Sequence, residues 1–153
     1  MNQSGKVFLV AVAVAALGVT GCSHTAASRV KKGEIAKTID TLNSETDRYV
    51  EFDGIGAADQ TMTNVSQKRS LSEAAGRRIA EEKMVSYLKG ERIDAITTVE
   101  QAITSNQNIK ALVDNTLRGA AIVKREWTSD DGCVVTIRLD KKKFRDQLLE
   151  VKK

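Results

Sequence analysis

Few side chains in this chain are able to do covalent or acid-base chemistry: Cys22, Cys133, the one histidine His24, and the adjacent carboxylates Glu81-Glu82 and Asp130-Asp131. Nucleophilic and general acid-base mechanisms need a base held near neutral pKa, most often histidine. His24 lies among small polar residues with no other ligand close in sequence, so it is expected to be solvated and not to hold a metal. Cys133 has no histidine partner, and Asp131 and Val134 supply none of the positive field that lowers a thiol pKa, so a buried, inert cysteine on a strand is expected. Neighbouring carboxylates on a helix or turn point apart, which argues against a glycosidase-like pair. Gly54-Ile55-Gly56 lacks the third glycine and the helix directly after it that a dinucleotide loop requires. No set of His, Cys or acidic residues has metal-ligand spacing. The expectation is a protein that is not an enzyme and has neither cofactor nor metal.

Cys22 stands apart from this inventory. Upstream of it, Lys6 supplies a positive start, and Val7 to Val19 run apolar apart from Gly18. A membrane-spanning helix needs about 20 apolar residues, so the run is too short and reads as a secretory signal. Val19, Thr20 and Gly21 directly before Cys22 resemble the lipobox of bacterial lipoproteins. That resemblance implies a signal peptide over residues 1–21, cleavage before Cys22, a diacylglycerol on its sulfur and an acyl chain such as palmitate on the new amine. At about 0.8 kcal/mol per buried CH2, one chain binds marginally and two or more hold stably. The mature protein is then expected to sit on a membrane without crossing it. Ser23, a residue other than Asp after the cysteine, resembles the sorting signal for the outer membrane, here at its periplasmic face. The alternative is an ordinary signal peptide with a chance cysteine.

The elements that must follow such an anchor are those of one modest domain. The 153 residues carry a formal charge of +4, and Lys6 is the only charge within the leader. So mild a balance does not imply nucleic acid, and export disfavours that partner further. Proline is absent and aromatics make up only 4%, so the core must be built from Ala, Val, Ile and Leu. Lipidation consumes Cys22 and leaves Cys133 the sole thiol, which excludes a disulfide within one chain. The length suits a lipid anchor, tether and short amphipathic helix over 22–46 and one compact domain over 47–153.

Ser23 to Val30, small and polar, is expected to be a flexible spacer. From Gly33 to Asn43, Ile35, Ile39 and Leu42 line one face of a short helix, which packs on its own domain or touches a neighbouring copy. Tyr49 to Asp53 alternates strictly and predicts the first strand; Gly54 and Gly56 around Ile55 predict a bulge or a sharp exit from the sheet. Val65 to Leu88 predicts the longest helix, ended by Lys89-Gly90 with a left-handed cap. Its doublets Ala74-Ala75, Ile79-Ala80 and Met84-Val85 precess around the axis, so either this helix meets partners beyond its own sheet or alanine is simply tolerated at its surface.

Arg92 to Val99 alternates as a second strand. Asn108 to Arg118 predicts a helix with Ile109, Leu112, Val113 and Leu117 on one face and Gly119 just past its end. Ala120 to Trp127 and Cys133 to Leu139 predict two strands joined as a hairpin through Ser129-Asp130-Asp131-Gly132. Asp140 is the expected N-cap of a last helix bearing Phe144, Leu148 and Val151. The order β-α-β-α-β-β-α predicts an α+β fold, a small and mainly antiparallel sheet with helices on one face. Glu51, Asp53, Lys124, Glu126, Thr136 and Arg138 alternate to the other side, which predicts partial exposure of that second face. The basic run Lys141-Lys142-Lys143, Arg145, Lys152-Lys153 is either a solvated helix face or a contact for anionic lipid or cell-wall polymer.

The pieces occur in a telling order: lipobox, tether, Gly54-Ile55-Gly56-Ala57, an Ala/Arg-rich helix, Arg92 to Thr98, then Arg118-Gly119-Ala120, Glu126-Trp127 and Asp131-Gly132 before a Val-rich strand. This order resembles the FlgP-like flagellar lipoproteins and their wider family of small bacterial outer-membrane lipoproteins, over about residues 48 to 140. Cys133 departs from the family pattern, where a residue other than cysteine is usual. The resemblance implies a structural protein that assembles in many copies into a ring or disc of the flagellar basal body, meets other basal-body proteins and supports motility. It extends to members without a motility role. The competing expectation is a general envelope or surface lipoprotein that binds cell wall or a host ligand.

Overall fold

In the computed structural model, residues 26–36 and 45–152 are described. Alternation in two segments creates the sheet. Along β3 (Tyr49–Gly56) and β5 (Cys133–Asp140), every second side chain points to one side, so Val50 and Phe52 share a face with Val135, Ile137 and Leu139. These two strands pair antiparallel from Tyr49↔Asp140 to Gly56↔Cys133. β4 (Ala121–Trp127) pairs antiparallel with the other side of β5, with an irregularity between Ile122 and Lys124, giving a three-stranded sheet in the order β3-β5-β4. The β4–β5 hairpin forms through the Asp130-Asp131-Gly132 turn, where Asp131 takes a φ of 65°.

Helices cover one face. α1 (Val65–Gly90) starts at Asn64, whose side chain accepts a hydrogen bond from the Gln67 amide. It buries Ser72, Gly76, Ala80, Met84 and Leu88, a single ridge with four-residue spacing, against β3 and β5. α2 (Val99–Ile103), α3 (Gln107–Arg118) and α4 (Lys141–Lys152) complete the shell, adding Val99, Ala102, Ile109, Leu112, Val113, Phe144 and Leu148 to the same core as Phe52 and Ile137. Asp140 caps α4 by accepting from the Lys143 amide at 3.0 Å, as its position predicted. Ahead of the sheet, β1 (Val30–Lys31) and β2 (Glu34–Ile35) form a small hairpin whose turn residues Lys32 and Gly33 both have positive φ, 53° and 81°. The fold is α+β with a small antiparallel sheet and helices on one face.

Several expectations change. The element order is β-β-β-α-α-α-β-β-α. No second strand forms over Arg92 to Val99. The Asp94 carboxylate instead accepts from the amides of Ile96 and Thr97, folding the segment into a turn, and Thr98 starts α2 with a capping box to Gln101. No bulge forms at Gly54 or Gly56, since both keep the register of β3 with β5, and the chain leaves the sheet directly after Gly56, the last residue of β3. Gly90 is the last residue of α1 without a left-handed cap, and the chain leaves through Glu91 in an extended conformation. Gly119 ends α3 with a φ of −87°, also outside the left-handed region. In place of a helix from Gly33, residues 34–35 are strand β2; residues 37–44, the rest of that expected helix, lie outside the described residues. Ala74 and Ala75 are exposed, and the ridge that α1 buries begins with the small residues Ser72 and Gly76 and takes only one member from each of the two later doublets, Ala80 and Met84.

Candidate functional site

On the sheet face away from the helices, alternation places Tyr49, Glu51, Asp53 and Ile55 beside Val134, Thr136, Arg138 and Asp140. The charged members of this layer satisfy one another. Thr136 donates to Asp53 Oδ1 at 2.6 Å, and Arg138 donates from Nε to Glu51 Oε1 at 2.9 Å. Glu51 is 6% exposed, Asp53 3% and Thr136 1%, so the centre of this face is closed to water, while Lys124, Glu126 and Arg138 around it are half-buried, in keeping with the partial exposure its polarity predicts. What covers it is the segment from Ala26 to Ile35, expected to begin as a flexible spacer. Lys124 Nζ donates to the Ala26 carbonyl at 3.0 Å, the Arg29 amide donates to Glu126 Oε2 at 2.7 Å, and the Ser28 hydroxyl donates to Glu126 Oε1. Arg29 Nε approaches Asp53 Oδ2 to 2.7 Å as an ion pair whose angle falls short of a hydrogen bond. Further along, the Ser129 amide donates to the Gly33 carbonyl at 2.9 Å and fixes the β1–β2 hairpin beside the β4–β5 turn.

This strap sets the electrostatics of the face. Burial raises the Glu126 pKa, but the Ser28 hydroxyl, the Arg29 amide and the nearby Lys124 ammonium outweigh it and hold the carboxyl below its usual range. Sequence reasoning missed Arg29, the one fixed charge between Ser23 and Val30. The available signal was Lys32-Gly33 between Val30 and Ile35, a glycine-bearing turn flanked by β-branched residues.

The residues singled out by resemblance fall in separate places. Gly54 and Gly56 lie under α1. A Cβ on Gly56 would stand 2.6 Å from the Gly76 amide nitrogen, so glycine is what lets the helix backbone rest on the strand. Gly132 is buried in the β4–β5 turn, where a Cβ would meet Thr128 Oγ1 at 2.6 Å. Trp127 closes the end of β4 with the Arg69 guanidinium 5.3 Å from its ring centroid. Arg118 is exposed at the end of α3, while Gly119 and Ala120 line a cavity of about 330 Å³ shared with Tyr49, Leu112, Arg138 and Phe144. Val19, Thr20, Gly21, Cys22 and His24 lie outside the described residues.

The chemistry these places offer is packing and ion pairing. Cys133 is fully buried on β5; burial and the Glu73 carboxylate push its thiol up to about 11, far from a reactive thiolate. Among the described residues, no group of three or more His, Cys, Asp or Glu side chains is placed to hold a metal ion, and no helix is long and apolar enough to cross a membrane. The basic run on α4 is partly engaged, Lys141 with Glu45 and Arg145 with Glu91, while Lys142 and Lys143 stay exposed.

A second surface lies along α1. Lys83 Nζ donates to the Asp53 carbonyl, and Tyr87 packs edge-on against Phe52, so the side of the helix carrying residues 83 and 87 lies over β3. One, two and three turns back from Lys83 on that same side stand Ile79, Ala75 and Leu71, all exposed, with Leu71 at 48% and Ile79 at 39%. They run beside an edge of the sheet that, among the described residues, pairs with no other strand beyond a single bridge from Glu45 to Val50.

Fold and site together define a small α+β scaffold with a strapped polar face, a helix-covered face and an apolar ridge beside an open edge. Comparison with protein families, curated sequences and solved structures found no match to this chain.

Proposed function

We propose that this chain is a lipid-anchored structural protein of the outer membrane that self-assembles into a ring or disc of the flagellar basal body and supports motility. The observation that carries the assembly half of this reading is the ridge Leu71, Ala75 and Ile79 beside the open edge of β3. At about 25 cal/mol per Å² of apolar surface removed from water, such a ridge gains by covering itself. The opposite edge of the sheet, β4, is also open among the described residues. Two different edges on one body permit head-to-tail contacts, and a rotation that closes makes a ring. A lipid on Cys22 concentrates copies in two dimensions and lowers the entropy cost of assembly. The resemblance in motif order supplies the flagellar half. Within this reading Gly54, Gly56, Gly119 and Gly132 shape the scaffold and have no catalytic role.

Electron microscopy of the mature protein tests the assembly. Closed rings or curved polymers are expected, and Leu71→Asp with Ile79→Asp is expected to leave monomers with an unchanged circular dichroism spectrum. A clean monomer at high concentration defeats ring formation and favours the envelope binding module, for which the cavity beside Gly119 and Ala120 offers a groove. Normal swimming and an intact motor after gene deletion defeat the flagellar role.

A further inference from the structure

The strap does more than cover polar groups, because it meets the domain only four residues after Cys22. A chain spans at most about 3.5 Å per residue, so Ala26 lies within about 14 Å of a lipidated Cys22. The polar layer of a bilayer is itself roughly 6 Å deep on each side. Ala26 is not free to swing away, since its carbonyl is held by Lys124 and the following residues by Glu126 and Asp53. α1 lies on the opposite face of the sheet. To bring α1 against the bilayer, the tether would have to pass around half the circumference of the body, roughly 50 Å for a domain of this size. That is several times its reach.

We propose that the strap and the sheet face beneath it form the membrane-facing side of the domain, seated on the lipid headgroups of the anchoring bilayer. Lys31 and Lys32, exposed on the strap's own hairpin, stand against headgroup phosphates. α1 and its ridge Leu71, Ala75 and Ile79 are turned away from the lipid. In this orientation copies meet side by side above a common plane, with their open edges free. The inference rests on the reading that Cys22 carries the lipid.

The test uses the full-length processed lipoprotein in vesicles of phosphatidylethanolamine and phosphatidylglycerol that contain a headgroup nitroxide lipid. An environment-sensitive fluorophore is placed by Ala27→Cys on the strap or by Arg78→Cys on the outer side of α1, both exposed, while buried Cys133 stays unlabelled. Strong quenching at position 27 and none at 78 is expected. A Gly/Ser insert after His24 is expected to abolish that difference without releasing the protein from the vesicle. Equal quenching at both positions, the reverse order, or a difference that survives the insert overturns the proposal. The mass of the N-terminal peptide separates the two readings. An acylated peptide with the wrong quenching pattern defeats the orientation alone, whereas an unacylated one defeats the anchor and the orientation with it.

Discussion

Gly54 on β3 and Gly76 on α1 face each other so closely that a Cβ on Gly54 would collide with the Gly76 carbonyl oxygen and stand 2.5 Å from the Ala80 amide nitrogen. Backbone rests on backbone. The helix reaches the sheet through its small-residue ridge at Ser72, Gly76 and Ala80, and only then widens to Met84 and Leu88 over Phe52. Ser72 adds a polar lock, its hydroxyl donating to the Asp131 carbonyl at 2.9 Å at the base of the β4–β5 turn.

Glycine substitutions should therefore differ in sign. Gly54→Ala and Gly56→Ala force α1 off the strand and should each cost about 3 kcal/mol or more in chemical denaturation. Gly76→Ala meets its nearest atoms at 3.1 Å and regains helix propensity, so its cost should be smaller. Gly90→Ala, with nothing within 4 Å, should stabilise by about 0.5–1 kcal/mol.

Arg29 pins the strap over Asp53. Arg29→Ala removes the cation from a buried carboxylate that Thr136 still partners, and should cost about 1–3 kcal/mol. Amide exchange and limited proteolysis should report it locally, with residues 26–36 opening while α1 and β5 stay protected.

Acid should release the same segment. The Glu126 pKa is lowered in the folded state by its Ser28, Arg29 and Lys124 partners, which outweigh burial. Its contribution to stability is complete above the ordinary glutamate range and is lost as the pH falls through the depressed folded value. Exchange of residues 26–30 should therefore rise on acidification, and Glu126→Gln should flatten that pH dependence.

Cys133 should stay silent. With its thiol pushed up to about 11 and its side chain buried, a maleimide should not modify the folded domain at neutral pH. Full modification should appear only as the domain unfolds, so labelling against denaturant should trace the global transition.

Local patterns were legible where the elements are local. The period of Ile109, Leu112 and Val113 predicted α3, the Asp-Gly turn between two alternating runs predicted the β4–β5 hairpin, and Asp140 predicted the start of α4. Arg92 to Val99 also alternates, yet Asp94 folds it back on its own amides, a side-chain contact that hydrophobic period does not register. The α1 doublets misled for a related reason. Hydropathy weighs Ile79 and Leu71 above Ser72 and Gly76, whereas the contact with the sheet selects for smallness.

By itself, then, the amino-acid sequence determined the class of fold, the helix-facing sides of β3 and β5 and the scarcity of catalytic groups, because each follows from residue type and spacing within one segment. Tertiary structure alone decided that Gly54 and Gly56 seat a helix, that Arg29 caps a buried carboxylate and that the centre of the polar face is covered. Each of those is a meeting of residues far apart in the chain. A missing Cβ or a lone arginine shows only that something comes near, and the fold determines what.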